Sequence, residues 1–405
     1  MTYYYMFIIF FMVLAYLWQA VRDKKLAQFA KATGVCLVAA VLGVVVNLSN
    51  LYHTWQYTQE SMRGKSELVK KNSANQTNSG LDRDYITQWS YGIDETWTLL
   101  VPNIKGGASV PLASNEKAME KADPQFYQVY QQMGQYWGNQ PGTSGPVYVG
   151  AFVFMLFILG LFIVKGPIKW ALFAATVLSV LLSWGRNFMW FTDLFLDYMP
   201  MYAKFRTVAS ILVIAEFTIP LLAMLALKEL LQNPKSLDEK VTVRERVINF
   251  IFFTPLGAVA TKRRDYLWIS FALSAGCAFL FAIMPSVFFP DFISLSEMEA
   301  LKQIPSEYLG PLIANLREIR ISIFTADCWR SFFIIVLGTV ILLLALKKKL
   351  QTKYAVGAII VLCLVDMWQV NKRYLYDDMF VDKAQRDTPQ QMTETDKIIC
   401  RDKAL

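Results

Sequence analysis

In "PMYAKFRTVASILVIAEFTIP" (200–220), Lys204 and Arg206 stand just before an apolar run that carries Glu216. Two cations at such a place can hold a phosphate at a membrane surface, and an arginine does so through two parallel hydrogen bonds. Snorkelling anchors produce the same pattern. Of the pair, Arg206 is the stronger candidate. A carboxylate as deep as Glu216 is costly and marks either a site or a buried partner. No Lys or Arg lies deep within another span, so an intramembrane ion pair is not expected. Glu216 would then carry a proton, bond a Thr, Ser or Asn of a neighbouring helix, or face a wet cavity. Asp366 in "CLVDMWQV" (363–370) is the other acid inside a span.

The stretch 51–146 is far too long for a connector. It is rich in aromatics, Gly, Asn and Gln, with a few acids. Flat rings stack on sugars while amides and carboxylates grip hydroxyls, although any packed loop draws on the same residue types. Trp97, Tyr136, Trp137 and Asn139 are the candidates for a sugar or acceptor surface. Asp82, Asp84, Asp94 and Glu95 are the acids placed for general-base work, which needs a carboxylate near an acceptor hydroxyl. They fit helix caps and surface ion pairs equally well.

Other chemistries are disfavoured. There are five cysteines without a CxxC and one histidine, His53. A Cys/His metal site and a Ser-His-Asp or Cys-His nucleophile are therefore not expected, nor is a cofactor. No nucleic-acid-binding motif accompanies the net charge of +8.

The elements that must position these residues are membrane helices. Of 405 residues 55% are hydrophobic and 18% charged, against about a quarter charged in soluble domains. The apolar residues collect into about eight runs of spanning length, 2–20, 33–50, 147–164, 168–184, 208–227, 266–288, 331–346 and 354–370. The fold expected is an all-α polytopic membrane protein. The connections 21–31, 165–169, 228–265 and 347–353 hold 18 Lys/Arg and six acids, whereas the rest of the chain holds 22 and 26. By the positive-inside rule those connections face the cytoplasm and both termini face outward. The stretch 247–260 is short for a span, contains Pro255 and Gly257, and reads as an interfacial helix.

The chain thus divides into spans at 1–50, an outer loop domain at 51–146, and three spans at 147–230 with an interfacial segment at 186–206. A cytoplasmic loop at 231–265, three spans at 266–370 and an outer tail at 371–405 follow. Within the last group of spans, 289–330 reads as two amphipathic helices lying in the outer interface. Leu309, Leu312, Ile313, Leu316, Ile319 and Ile323 form the apolar stripe, and Arg317 and Arg320 would face headgroups or a lipid phosphate. The first span lacks a hydrophilic head and the tail lacks a closing element. The chain reads as the middle of something longer.

Four strings carry a family resemblance: "SGLDRDYITQWSYGIDETWTLLVPNIKGG", "YWGNQPGTSGPVYVGAF", "PMYAKFRTVASILVIAEF" and "VDMWQVNKRYLYDDMF". Over about 35–398 the chain resembles the YfhO family of bacterial membrane proteins in its Bacteroidota form, within the GT-C superfamily of glycosyltransferases. The resemblance implies a multi-pass protein of the cytoplasmic membrane that transfers a sugar from a polyprenyl-phosphate carrier to an envelope glycan or polymer outside. Arg206 matches the Arg of the family's FR element, which implies a lipid-phosphate role. The family's catalytic aspartate lies in an earlier outer loop that this chain does not match, so no catalytic residue carries over. A transporter or lipid flippase is the alternative, and a non-catalytic envelope scaffold the third reading.

Overall fold

The computed structural model describes residues 2–61, 63–64, 75–77, 81–252, 259–387 and 393–401. Its principal helices are α1 (Thr2–Arg22), α2 (Leu26–Val46), α3 (Leu48–Gln59), α4 (Ala151–Ile163), α5 (Pro167–Ser183), α6 (Met189–Tyr198), α7 (Val213–Gln232), α8 (Val243–Phe252), α9 (Arg263–Ile283), α10 (Leu295–Leu301), α11 (Ser306–Leu346) and α12 (Thr352–Tyr374). Among the described residues there is no β-strand, and the two bridges, Pro111 to Gly134 and Lys240 to Lys262, are isolated. Among the described residues six helices are long and apolar enough to cross a membrane, or seven if the bent pair α5–α6 counts as one. The chain is a helical, multi-pass membrane protein.

The core is α4 against α7, flanked by α5, α9 and α11. α4 has only 13 residues, about 20 Å at 1.5 Å per residue, against a hydrocarbon core of about 30 Å. It tolerates this because other helices wrap it. Of its side chains Ala151, Phe152, Met155 and Leu159 are sealed from solvent, and irregular backbone at membrane depth is acceptable where protein covers it. Gly160 brings α4 close to α7, since a Cβ there would lie 2.9 Å from the Leu222 carbonyl oxygen.

The second spanning helix begins at Leu26, earlier than its hydropathy window, and continues past Asn47 into α3. Neither α2 nor α3 buries a residue, so residues 48–59 stand apart from the packed body formed by 81–146.

The segment 289–330 departs from expectation. After the short α10, one unbroken helix of 41 residues, α11, runs from the 81–146 body through the bundle. At about 60 Å it is twice the hydrocarbon thickness. Its N-terminal half buries the predicted stripe (Leu312, Leu316, Ile319, Ile323) against Leu112, Phe126 and Tyr130 of the loop body. Arg320 consequently faces no headgroup: it is fully buried. Its Nη2 donates to Glu297 Oε1 at 2.5 Å and to the Gly134 carbonyl at 2.8 Å, its Nη1 to Glu297 Oε2 and the Phe292 carbonyl at 2.9 Å. Arg317 remains exposed, 3.4 Å from the Pro290 carbonyl.

Of the stretch 247–260 the structure places 247–252 in α8, and 253–258 fall outside the described residues.

Candidate functional site

At the end of the bundle that carries the 81–146 body the chain leaves α5 and bends by 108° through Gly185–Phe188 into α6. Gly185 sits at φ +45, and a Cβ there would lie 2.1 Å from Ser90 Oγ and 2.6 Å from Val208 Cγ2. Only glycine lets the bend close on the loop. α6 then crosses the end of the bundle with Thr192 and Leu196 buried and Trp190 and Tyr198 exposed. Arg83 secures it, its guanidinium bridging Asp193 and, at 2.5 Å, Asp197.

After Pro200 comes the cationic ledge, bracketed by two non-glycine residues in left-handed conformations, Met201 (φ 64) and Thr207 (φ 70). A β-branched residue rarely adopts that geometry, and such strain persists only where surroundings impose it. Here the Thr207 amide donates to the Ile86 carbonyl, Ala209 to Trp89, and Leu81 to Ala203. These bonds lock ledge and loop together.

Arg206 projects from this frame. Its Nη1 donates to the Tyr85 hydroxyl at 2.7 Å, and its guanidinium carbon lies 5.5 Å and 5.1 Å from the Tyr85 and Trp89 ring centroids. Among the described residues no carboxylate pairs with it, and it is exposed. Lys204 is differently placed, its Nζ donating to the Arg63 carbonyl at 2.9 Å.

Beside Arg206 a groove of about 480 Å³ opens between the loop body and the start of α7. Trp89, Tyr91, Gln140, Thr143, Thr207 and Ser210 contribute to its lining. The Trp89 indole donates to the Gly142 carbonyl at 3.0 Å, which fixes its ring beneath Arg206. Behind Gln140 lies Glu95, 2% exposed. Its carboxylate accepts from the Gly92 amide (3.0 Å), the Tyr136 hydroxyl (2.8 Å) and Gln140 Nε2 (3.1 Å). Burial raises its pKa despite those donors. Burial and the nearby carboxylate likewise push the Tyr136 phenol up. The Tyr91 phenol rises too, through burial and the carboxylates of Glu95 and Glu216.

The remaining sequence candidates do not gather at the groove. Asp94 pairs with Lys105 at 2.6 Å, Asp84 is exposed, and Asp82 precedes the short helix Arg83–Ile86 without capping it. Trp97 packs edge-on to Phe281, and Trp137 lies buried with Arg320 over its face at 5.4 Å. Asn139 offers its carbonyl to Arg186. Glu216 is exposed on the first turn of α7, with no hydrogen bond or ion pair among the described residues. Asp366 corrects the expectation that acids in spans lack cationic partners. It is buried, pairs with Arg330, and accepts from the Tyr148 hydroxyl (2.8 Å) and the Ala151 amide (3.1 Å). One turn outward, Arg373 clasps Asp327 through two bonds of 2.6 and 2.7 Å. The signal was present in "ADCWR" and "DMWQVNKR", where an acid and a base recur on each of two adjacent helices and pair crosswise.

No family model matches the chain, and neither a curated protein nor a solved structure does.

Proposed function

We propose that the chain is the carrier-binding part of a membrane glycosyltransferase of the outer face, in which Arg206 receives the phosphate of a polyprenyl-phosphate sugar. One observation carries this reading. Arg83, Arg320, Arg330 and Arg373 each hold a carboxylate, whereas Arg206 is held by two rings and a hydroxyl, with donors left over. A guanidinium oriented in this way, at the mouth of a membrane helix, suits a phosphate at headgroup depth. The adjoining groove offers an indole face, an amide and hydroxyls to a sugar ring.

The chemistry would be substitution at the anomeric carbon: an acceptor hydroxyl oxygen bonds to C1 as its proton passes to a carboxylate base, the bond from C1 to the phosphate oxygen breaks, and Arg206 stabilises the added negative charge on the leaving polyprenyl phosphate. Asp82, Asp84 and Glu95 are left without a catalytic assignment. The acceptor belongs to the cell envelope on this reading, and the membrane is the cytoplasmic one. A lipid flippase is the second reading, favoured by the 108° break after α5 and by the π-turn Ala272–Gly276 that interrupts α9, since transporters bind at interrupted helices.

Binding of a polyprenyl monophosphate to the protein in nanodiscs tests the proposal. Losing a charge-assisted contact worth about 1.5–3 kcal/mol, Arg206→Ala weakens binding about tenfold or more, and Arg317→Ala leaves it unchanged. Equal affinity in wild type and Arg206→Ala removes Arg206 from the site. Headgroup translocation in liposomes without sugar transfer would favour the flippase.

A further inference from the structure

At the end of the bundle opposite Arg206, a cleft of about 630 Å³ opens between the last turns of α1, the start of α5 and α8. Its depth is apolar, with Phe11, Leu14, Trp18 and Trp170 among its walls and Ile248 from α8. Its rim carries Gln19 and Arg22. Gly166, also lining it, has nothing within 4 Å of where a Cβ would stand. The charged groups around this end are unbalanced. On the α1 side are Arg22, Lys24, Lys25 and one acid, Asp23; from the α5 side comes Lys165, while Lys169 is buried over the Trp170 ring. Facing α5 are Glu245 of α8 and Arg263 of α9, which bond each other at 2.6 Å.

Arg22 sits over the Trp18 ring at 5.5 Å. Its contact with Asp23 at 3.2 Å joins side chains 58% and 34% exposed, and such an exposed pair contributes little. The guanidinium is therefore free to exchange partners.

We infer that this cleft binds one anionic phospholipid, an acyl chain lying between α1 and α5 and the headgroup phosphate on Arg22. A cleft at the ends of membrane helices is filled by whatever solvates them, which is lipid. Apolar walls alone would not discriminate among lipids, but a basic rim selects an anionic headgroup. The tryptophans at its wall also match the depth at which indoles sit in a bilayer. This site is independent of the carrier site at Arg206.

Tryptophan quenching by lipids brominated on the acyl chain tests it, with the full chain in phosphatidylcholine nanodiscs. Brominated phosphatidylglycerol should quench more than brominated phosphatidylcholine at the same mole fraction. The expected enrichment is about fivefold, the effect of one basic side chain at a lipid surface. Trp18→Phe with Trp170→Phe should remove most of the excess quenching, and Arg22→Gln should abolish it. Ala15→Phe, which fills the cleft, should abolish it with the rim intact. Equal quenching by the two brominated lipids, or an excess that survives in Arg22→Gln, overturns the inference.

Discussion

At the scale of single residues, acids of similar sequence prospects have entirely different surroundings. Asp94 and Glu95 are neighbours, yet one forms an ion pair with Lys105 and the other is buried among three donors. Nothing local in "GIDETW" separates them, because the partners come from residues 105, 136 and 140. Glu95 makes a testable pH dependence. Its ordinary pKa is 4.5, and burial raises it in the folded protein. Between those two values the folded state holds a proton that the unfolded state has released, so stability falls as pH rises through the window. Glu95→Gln does not titrate and loses one acceptor, at a cost of about 1–3 kcal/mol. The melting midpoint of the wild type should therefore exceed that of the variant most below pH 4.5 and by less as pH rises. A constant difference across that range would show that the carboxyl does not titrate differently on folding.

At the scale of elements, hydropathy read most of the helices but misread how they continue. The apolar stripe of 309–323 was legible, as was its amphipathic character. What it packs against was not, since Leu112, Phe126 and Tyr130 lie almost two hundred residues away. Periodicity identifies a face and is silent on whether lipid or protein covers it. The same limit hid the break after Ser183, where Gly185 is demanded by Ser90 and Val208 from other segments. Arg320 illustrates the energetic consequence. With its partners it clamps α10, α11 and the 134–137 turn, and breaking a buried pair from one side leaves an uncompensated charge. Arg320→Ala should cost about 3–5 kcal/mol, read as a lower denaturant midpoint in detergent. Replacing both partners, Arg320→Met with Glu297→Leu, should recover most of it, because apolar pairs often match buried ion pairs. If the double variant is as unstable as the single one, the carbonyl bonds to Phe292 and Gly134 carry the clamp instead.

At the scale of the whole molecule, the connections fall at two ends of the bundle. Loop body, ledge and the N-terminal half of α11 meet at one end, through Leu81 to Ala203, Trp184 to Thr96 and Arg320 to Gly134. At the other end Lys240 bridges to Lys262, and Arg263 binds Glu239 and Glu245. The charge count predicts a cytoplasmic second end, which would leave both Arg206 and the tail after α12 facing outward. Cys400 lies in that tail and is exposed, while Lys349 occupies the turn between α11 and α12, also exposed. In spheroplasts, a variant retaining only Cys400 should react with an impermeant maleimide added outside. A cysteine placed instead by Lys349→Cys should react only after permeabilisation. The reverse labelling would turn the molecule over, placing Arg206 against the cytoplasmic leaflet and its groove out of reach of any extracytoplasmic acceptor. Because the cleft at Arg22 lies at the opposite end, the same labelling also decides which leaflet must supply its lipid.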